Sequence, residues 1–168
     1  MEFTFMQQLI QQLINGLSLG SIYALIALGY TMVYGIIKLI NFAHGDIYMV
    51  GAYVAFFATT TLKLSFFPAL ILAMVVAAIV GVVIEKLAYR PLRYAPRIAI
   101  LITAIGVSLL LEYGGILLVS PQPRTFPAIF QAEVYTFGNI VVNSQQVLIL
   151  AVALSLMVIL TYVVHRTK

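Results

Sequence analysis

The sequence predicts an all-α, polytopic membrane protein. It would be a bundle of about five transmembrane helices, N-terminus outside and C-terminus inside, with a short β-hairpin-like outer loop. Three observations point there. Hydrophobic residues fill 63% of the 168 positions and charged residues only 8%, with mean hydropathy +1.10, whereas a soluble domain carries about 25% charged residues. The apolar positions fall into stretches near the roughly 20 residues that a helix needs to cross about 30 Å of hydrocarbon. Lys and Arg gather in alternate connections.

The helices are expected at about 9–37, 47–62, 64–84, 98–119 and 147–164, within a single membrane domain over 1–168. Leu17 to Ile37 is free of charge. The stretch QQLIQQLI before it sets Gln7, Gln8, Gln11 and Gln12 on one helical face and Leu9, Ile10, Leu13 and Ile14 on the other. That pattern is an amphipathic lead-in at the interface or against a neighbour. The second span is short. The third carries Pro68 in its first turn, where a missing N–H costs little. The fourth is interrupted by Glu112. An inner loop covers 85–97 and an outer loop 120–146. In that outer loop SPQPRTFPAIF breaks helix, and VYTFGNIVV reads as a hairpin turning at Gly138-Asn139. It would meet an outer partner or pack as a plug on the helix ends.

Placing the N-terminus outside puts Lys38, Lys86, Arg90, Arg93, Arg97, Arg166 and Lys168 inside, against Lys63 and Arg124 outside. The reverse topology would invert that bias. The net charge of +4 therefore reports topology rather than nucleic acid. The start MEFTFMQQLI has no basic residue and is unlike a cleavable signal. With no cysteine, disulfides and thiolate-ligated metals are excluded.

Small residues recur every fourth position at Gly16, Gly20 and Ala24, and again at Ala69, Ala73, Ala77 and Gly81. Such stripes let helices approach closely in lipid, where van der Waals packing joins them. They imply a bundle or a subunit interface.

The polar residues inside the apolar stretches are the candidate pathway or gating groups. Glu112 lies about 21 Å along a helix starting at Ile98, on a face with Ala104 and Ser108. An intramembrane charge costs roughly 2.5–3.5 kcal/mol, so it should face a cavity or a partner or be protonated, as a polar wall of a pathway or as an acid bonded to a neighbouring helix or snorkelling outward. Gly114-Gly115 follows, where the helix could loosen. The basic run EKLAYRPLRYAPR, containing Lys86, Arg90, Arg93 and Arg97 with Tyr89 and Tyr94 interleaved, suits anionic lipid headgroups. Glu85 is expected as an interfacial acid. In INFAHGD, Asn41, His44 and Asp46 are expected at or just below the inner surface. Asp46 or Asn41 would cap the second helix and Gly45 would permit the turn. A gating role is the other reading there. Neither a catalytic set nor a metal site is expected, for two ligands and one distant His165 are too few.

These residues also carry a family resemblance. NGLSLGSIYALIALGYTMVYGIIKLINFAHGDIYMVGAY, RPLR and the terminal HRTK resemble the permease subunits of branched-chain amino acid ABC importers, over most of the chain. Permeases for urea or short amides carry similar stretches. The resemblance implies a multi-pass protein of the bacterial cytoplasmic membrane. It would pair with a second, related permease subunit and act with two cytosolic ATPase subunits and an extracytoplasmic substrate-binding protein. ATP would be bound by those partners and no cofactor by this chain, which has no Gly-rich phosphate loop. In that family the segment docking onto the ATPase follows the position of Lys168, so the chain is expected to be an N-terminal portion or a truncated product. The competing classes are a non-transporting scaffold, an ion-coupled carrier using Glu112, and an intramembrane enzyme using His44 and Asp46.

Overall fold

The computed structural model describes residues 5–37, 40–127, 133–137 and 139–166. Lys38, Gly138 and Lys168, used above for topology and for the hairpin turn, lie outside them. Five helices run in order: α1 Phe5–Ile37, α2 His44–Thr60, α3 Phe66–Ile84, α4 Arg97–Val119 and α5 Ser144–Arg166, with strands β1 Val134–Phe137 and β2 Ile140–Asn143 before α5. All but α2 are long and apolar enough to cross a membrane. At 17 residues α2 is about 25 Å long, short of the hydrocarbon thickness. The chain clusters into two compact units, one of Met1–Met32 with Phe130–Lys168 and one of Val33–Ile129.

In the first unit, β1 and β2 form the expected antiparallel hairpin, with Phe137 opposite Ile140 and Val134 opposite Asn143. Two short strands are marginal alone, and this hairpin is fastened to α1 by glutamines. The Gln11 amide donates to the Val141 carbonyl at 2.9 Å and accepts from the Val141 N–H at 2.8 Å. It therefore pairs with β2 as a neighbouring strand residue would. Asn139 donates to Gln7 one turn earlier, at 3.2 Å. The polar face of the lead-in is thus not an interfacial surface throughout: Gln7 and Gln11 are bonded to the hairpin.

A second polar device starts α5. Asn143 Oδ1 accepts from the Gln145 N–H at 3.0 Å, and Gln146 Oε1 accepts from the Asn143 N–H at 3.1 Å. This is a capping box built from Asn and Gln, satisfying donors that a helix start leaves open. Gln146 also donates to Asn15 of α1 at 3.1 Å. Beside the hairpin, Tyr135 donates to Glu133 at 2.7 Å. That hydrogen bond, and then the carboxylate's charge, raise the Tyr135 pKa above its ordinary value.

In the second unit, α2 and α3 pack side by side. Ala58, Ala69 and Ala73 are buried. A Cβ added at Gly51 would stand 3.7 Å from Ala77 Cβ and 3.9 Å from the Ala73 carbonyl. Three of the four residues in the predicted α3 stripe thus bear on this contact, while Gly81 has open space about it. Gly16 and Gly20 of the α1 stripe likewise meet nothing within 4 Å. The expected inner loop is largely helical. A π-helical turn, Glu85–Tyr89, and a 3-10 turn, Arg90–Leu92, prolong α3. The helix resumes at Arg97, after Pro96, and α4 runs unbroken through Gly114 and Gly115 to Val119.

Replacing Gln11 by Leu removes both bonds to Val141. Amide exchange at Val141 is expected to rise roughly fivefold or more, the equivalent of ~1 kcal/mol for a typical hydrogen bond. Unchanged exchange would mean that the hairpin holds without α1.

Candidate functional site

The candidate groups converge where the chain enters α2. Residues 40–43 are non-helical, closed by a turn in which the His44 N–H donates to the Asn41 carbonyl at 3.2 Å. Ala43 is 0% exposed and packs in one cluster with Ile84, Tyr89 and the 0%-exposed Ala104. The entry to α2 is therefore held between the end of α3, its π-helical extension and α4. A π-turn inserts an extra residue into the helical ladder and redirects the side chains after it. Here Tyr89, its last residue, donates its hydroxyl to Asn41 Oδ1 at 2.7 Å.

Asp46 is joined to α4: the Ser108 hydroxyl donates to Asp46 Oδ2 at 2.5 Å. Ser108 is the midpoint of Arg97–Val119, about 16 Å along that helix. The first turn of α2 therefore stands level with the middle of α4, an apolar span, and not at its charged end. The expectation set Asp46 at the inner surface; the structure sets it against Ser108, 11 residues along α4 from Arg97. The capping role is corrected: the N-cap is Ala43, with no side-chain cap bond, and Gly45 lies inside the helix. The physical reason is that α2 starts earlier than expected, which moves Asp46 into its first turn. There its charge still meets the positive end of the helix dipole, but its oxygen is free to reach across to α4.

His44 is half-buried at the first position of α2 and is held by a neighbour of its own. Among the described residues no three His, Cys, Asp or Glu side chains come together. Glu112 is exposed, one turn beyond Ser108, and takes no part in the corner. Ala104, Ser108 and Glu112 thus step from buried to bonded to open along α4, since positions four apart drift around a helix of 3.6 residues per turn. Lys86, Arg90 and Arg93 are exposed on the turns joining α3 to α4, Arg97 is exposed at the start of α4, and Glu85 opens the π-turn.

Sequence reasoning singled out Asn41, His44 and Asp46 but not Tyr89 or Ser108 as their partners. Tyr89 stood out only as an aromatic anchor, and Ser108 only as a neighbour of Glu112. Partners 48 and 62 residues away leave no local pattern.

The chain matches the family described as the permease component of the branched-chain amino acid transport system over residues 12–168. It belongs to that family. The high-affinity branched-chain amino acid transport system permease protein BraD of Pseudomonas aeruginosa is 42% identical over 172 aligned positions, covering 95% of this chain and 56% of BraD. The corresponding permease protein LivH is 43% identical over 132 positions in Escherichia coli K12, covering 74% of this chain and 43% of LivH. The Salmonella typhimurium LivH gives the same figures. The chain spans about half the length of the curated relatives it matches. No solved structure matches it.

Cross-helix hydrogen bonds in membranes average ~0.6 kcal/mol in coupling, with a maximum near ~1.7. A double-mutant cycle of Asn41→Leu and Tyr89→Phe is expected to fall in that range when unfolding is followed in detergent. Ser108→Ala should cost more than Tyr89→Phe, because it strips the hydroxyl from a half-buried carboxylate. Additive single effects would show that the corner is held by packing around Ala43 alone.

Proposed function

We propose that the chain forms part of the transmembrane permease subunit of an ATP-driven importer for branched-chain amino acids, in the bacterial cytoplasmic membrane. The observation that carries this reading is the family match over residues 12–168, which contains the whole corner at the foot of α2. The names of the relatives, permease proteins of high-affinity branched-chain amino acid transport systems, support the solute class.

The partners follow from that reading. A second, related permease subunit completes the route, two cytosolic ATPase subunits hold and hydrolyse ATP, and an extracytoplasmic binding protein delivers the solute. This chain binds no cofactor and performs no covalent chemistry. The N-terminus lies outside and the C-terminus inside, with Lys86, Arg90, Arg93 and Arg97 facing the cytosol and its anionic lipid surface.

Asn41, His44 and Asp46 belong to the moving part of the route. Irregular backbone at membrane depth survives only where protein buries it or water lines it. The corner meets that condition by two cross-element bonds, Tyr89 to Asn41 and Ser108 to Asp46. Each joins the entry of α2 to a different neighbour. A power stroke that separates α2 from α4 must break the second bond and expose the polar ends to the route. On reversal they pair again. The pair therefore acts as a latch whose two states differ by the strength of about one charge-assisted hydrogen bond.

Uptake of labelled leucine by cells assembling the complete transporter tests this reading. ATP depletion is expected to abolish it, while dissipation of the ion gradients at clamped ATP leaves it intact. Asp46→Ala should lower the rate about tenfold or more, and Asp46→Asn, which still accepts from Ser108, far less. Uptake that follows an ion gradient and vanishes in Glu112→Gln would overturn the reading in favour of a coupled carrier. Urea or a short amide moved in preference to leucine would overturn the solute.

A further inference from the structure

At the far end of α2 the second unit holds a cavity of about 190 Å³, lined by Met49, Ala52, Tyr53, Phe56, Arg124 and Phe126. The walls come from one face of α2 and from the segment that follows α4. α2 and α4 run in the same direction, since Asp46 meets Ser108 and Met49 stands beside Gly115. The cavity therefore opens beyond the C-terminal end of α4, on the opposite side of the unit from the basic turns at 86–97.

The chemistry of the wall is uneven. Five of its six residues are apolar or aromatic and the sixth is a cation. Arg124 is held from three sides. Its guanidinium carbon lies 5.8 Å from the Phe56 ring centroid and 5.7 Å from that of Phe57, both cation–π contacts. Its Nη2 donates to the Val119 carbonyl at 3.0 Å, satisfying one of the open acceptors at the end of α4. Phe126 packs edge-on to Phe56 with centroids 6.2 Å apart and closes the side. A guanidinium carries five N–H donors in a planar fork, and these contacts use one. No carboxylate is among its partners in the described residues. A fixed cation whose remaining donors meet no acid among the described residues, set in an apolar aromatic wall, is suited to a small molecule that joins a carboxylate to a short apolar tail.

We propose that this cavity is a binding site for a free neutral amino acid, with Arg124 receiving the α-carboxylate and Met49, Ala52 and Phe126 receiving the apolar side chain. It rests on the transport reading above and adds to it a first station for the solute before the latch at Asp46. Arg124 pairs with a carboxylate through two parallel N–H bonds. The ammonium of the zwitterion meets the aromatic ring of Tyr53, because Phe56 is already taken by Arg124. A longer anion would leave the apolar wall unmatched, and an uncharged solute would leave Arg124 unpaired.

The test is direct binding of labelled L-leucine to the chain in lipid nanodiscs. Saturable binding is expected. 4-Methylpentanoate, which keeps the carboxylate and tail, should compete, and leucinamide, which lacks the carboxylate, should not. Arg124→Gln should weaken binding by roughly ten- to a hundredfold, with Arg124→Lys intermediate. If Arg124→Gln does not fold, Ala52→Leu fills the cavity from the opposite wall and should abolish binding with Arg124 intact. Equal leucine binding by wild type, Arg124→Gln and Ala52→Leu would overturn the proposal even if uptake remains ATP-driven and leucine-specific. Displacement of leucine by inorganic phosphate as readily as by 4-methylpentanoate would also overturn it, by showing a general anion site such as a lipid headgroup would fill. Carboxylate-dependent binding in a chain whose assembled transporter moves no amino acid would instead overturn the transport reading and leave the site standing.

Discussion

Within hydrocarbon a polar group has no water to turn to, so wherever the chain leaves a helix its open groups must be paired by the protein. That constraint organises the second unit, and the first shows the same pairing at its hairpin and its helix start. In the second, the break at 40–43 is tolerated because Ala43 is enclosed and because Tyr89 and Ser108 supply hydroxyls to Asn41 and Asp46. The π-turn at Glu85–Tyr89 belongs to the same arrangement: it sets Tyr89 at the position from which it reaches Asn41. In the first unit, the hairpin borrows strand-like pairing from the Gln11 amide, and α5 starts from its own capping box.

Close packing supplies the second layer of the explanation. α2 is short and would be a poor span alone, yet it gains a continuous contact with α3 through Gly51, Ala58, Ala69, Ala73 and Ala77. With no side chain at Gly51, the backbone of α3 comes within van der Waals range. A Cβ there would still sit at ordinary van der Waals distance, so only a side chain longer than alanine's would push the helices apart and loosen the corner at the other end of α2. Packing along α2 and pairing at its foot thus stabilise the same placement. The aromatic cluster around Arg124 finishes that helix at its other end.

Much of the fold was legible from periodicity and composition. The four long apolar helices, Pro68 in the first turn of α3, the end of α4 before the proline-rich segment and the hairpin at 134–143 all follow from local signals. What was not legible depends on distance in sequence. Nothing around Asp46 announces Ser108, and nothing around Asn41 announces Tyr89. A cap was expected at Asp46 because an acid near a helix start is the commonest local use of that residue. The acid was instead drawn to a hydroxyl on another helix, where the same charge also bonds across an interface. The capping box at Asn143 and Gln146 was readable in principle from its spacing, but it sits inside a stretch judged to be loop.

The central claim is that the first turn of α2 stands against the middle of α4. Because the chain has no cysteine, cross-linking with a short bifunctional thiol reagent measures this directly. Asp46→Cys combined with Ser108→Cys should link rapidly in membranes, and Asp46→Cys combined with Arg97→Cys should not. Efficient linking of positions 46 and 97, with none between 46 and 108, would put Asp46 back at the charged end of α4 and contradict the structure of the corner.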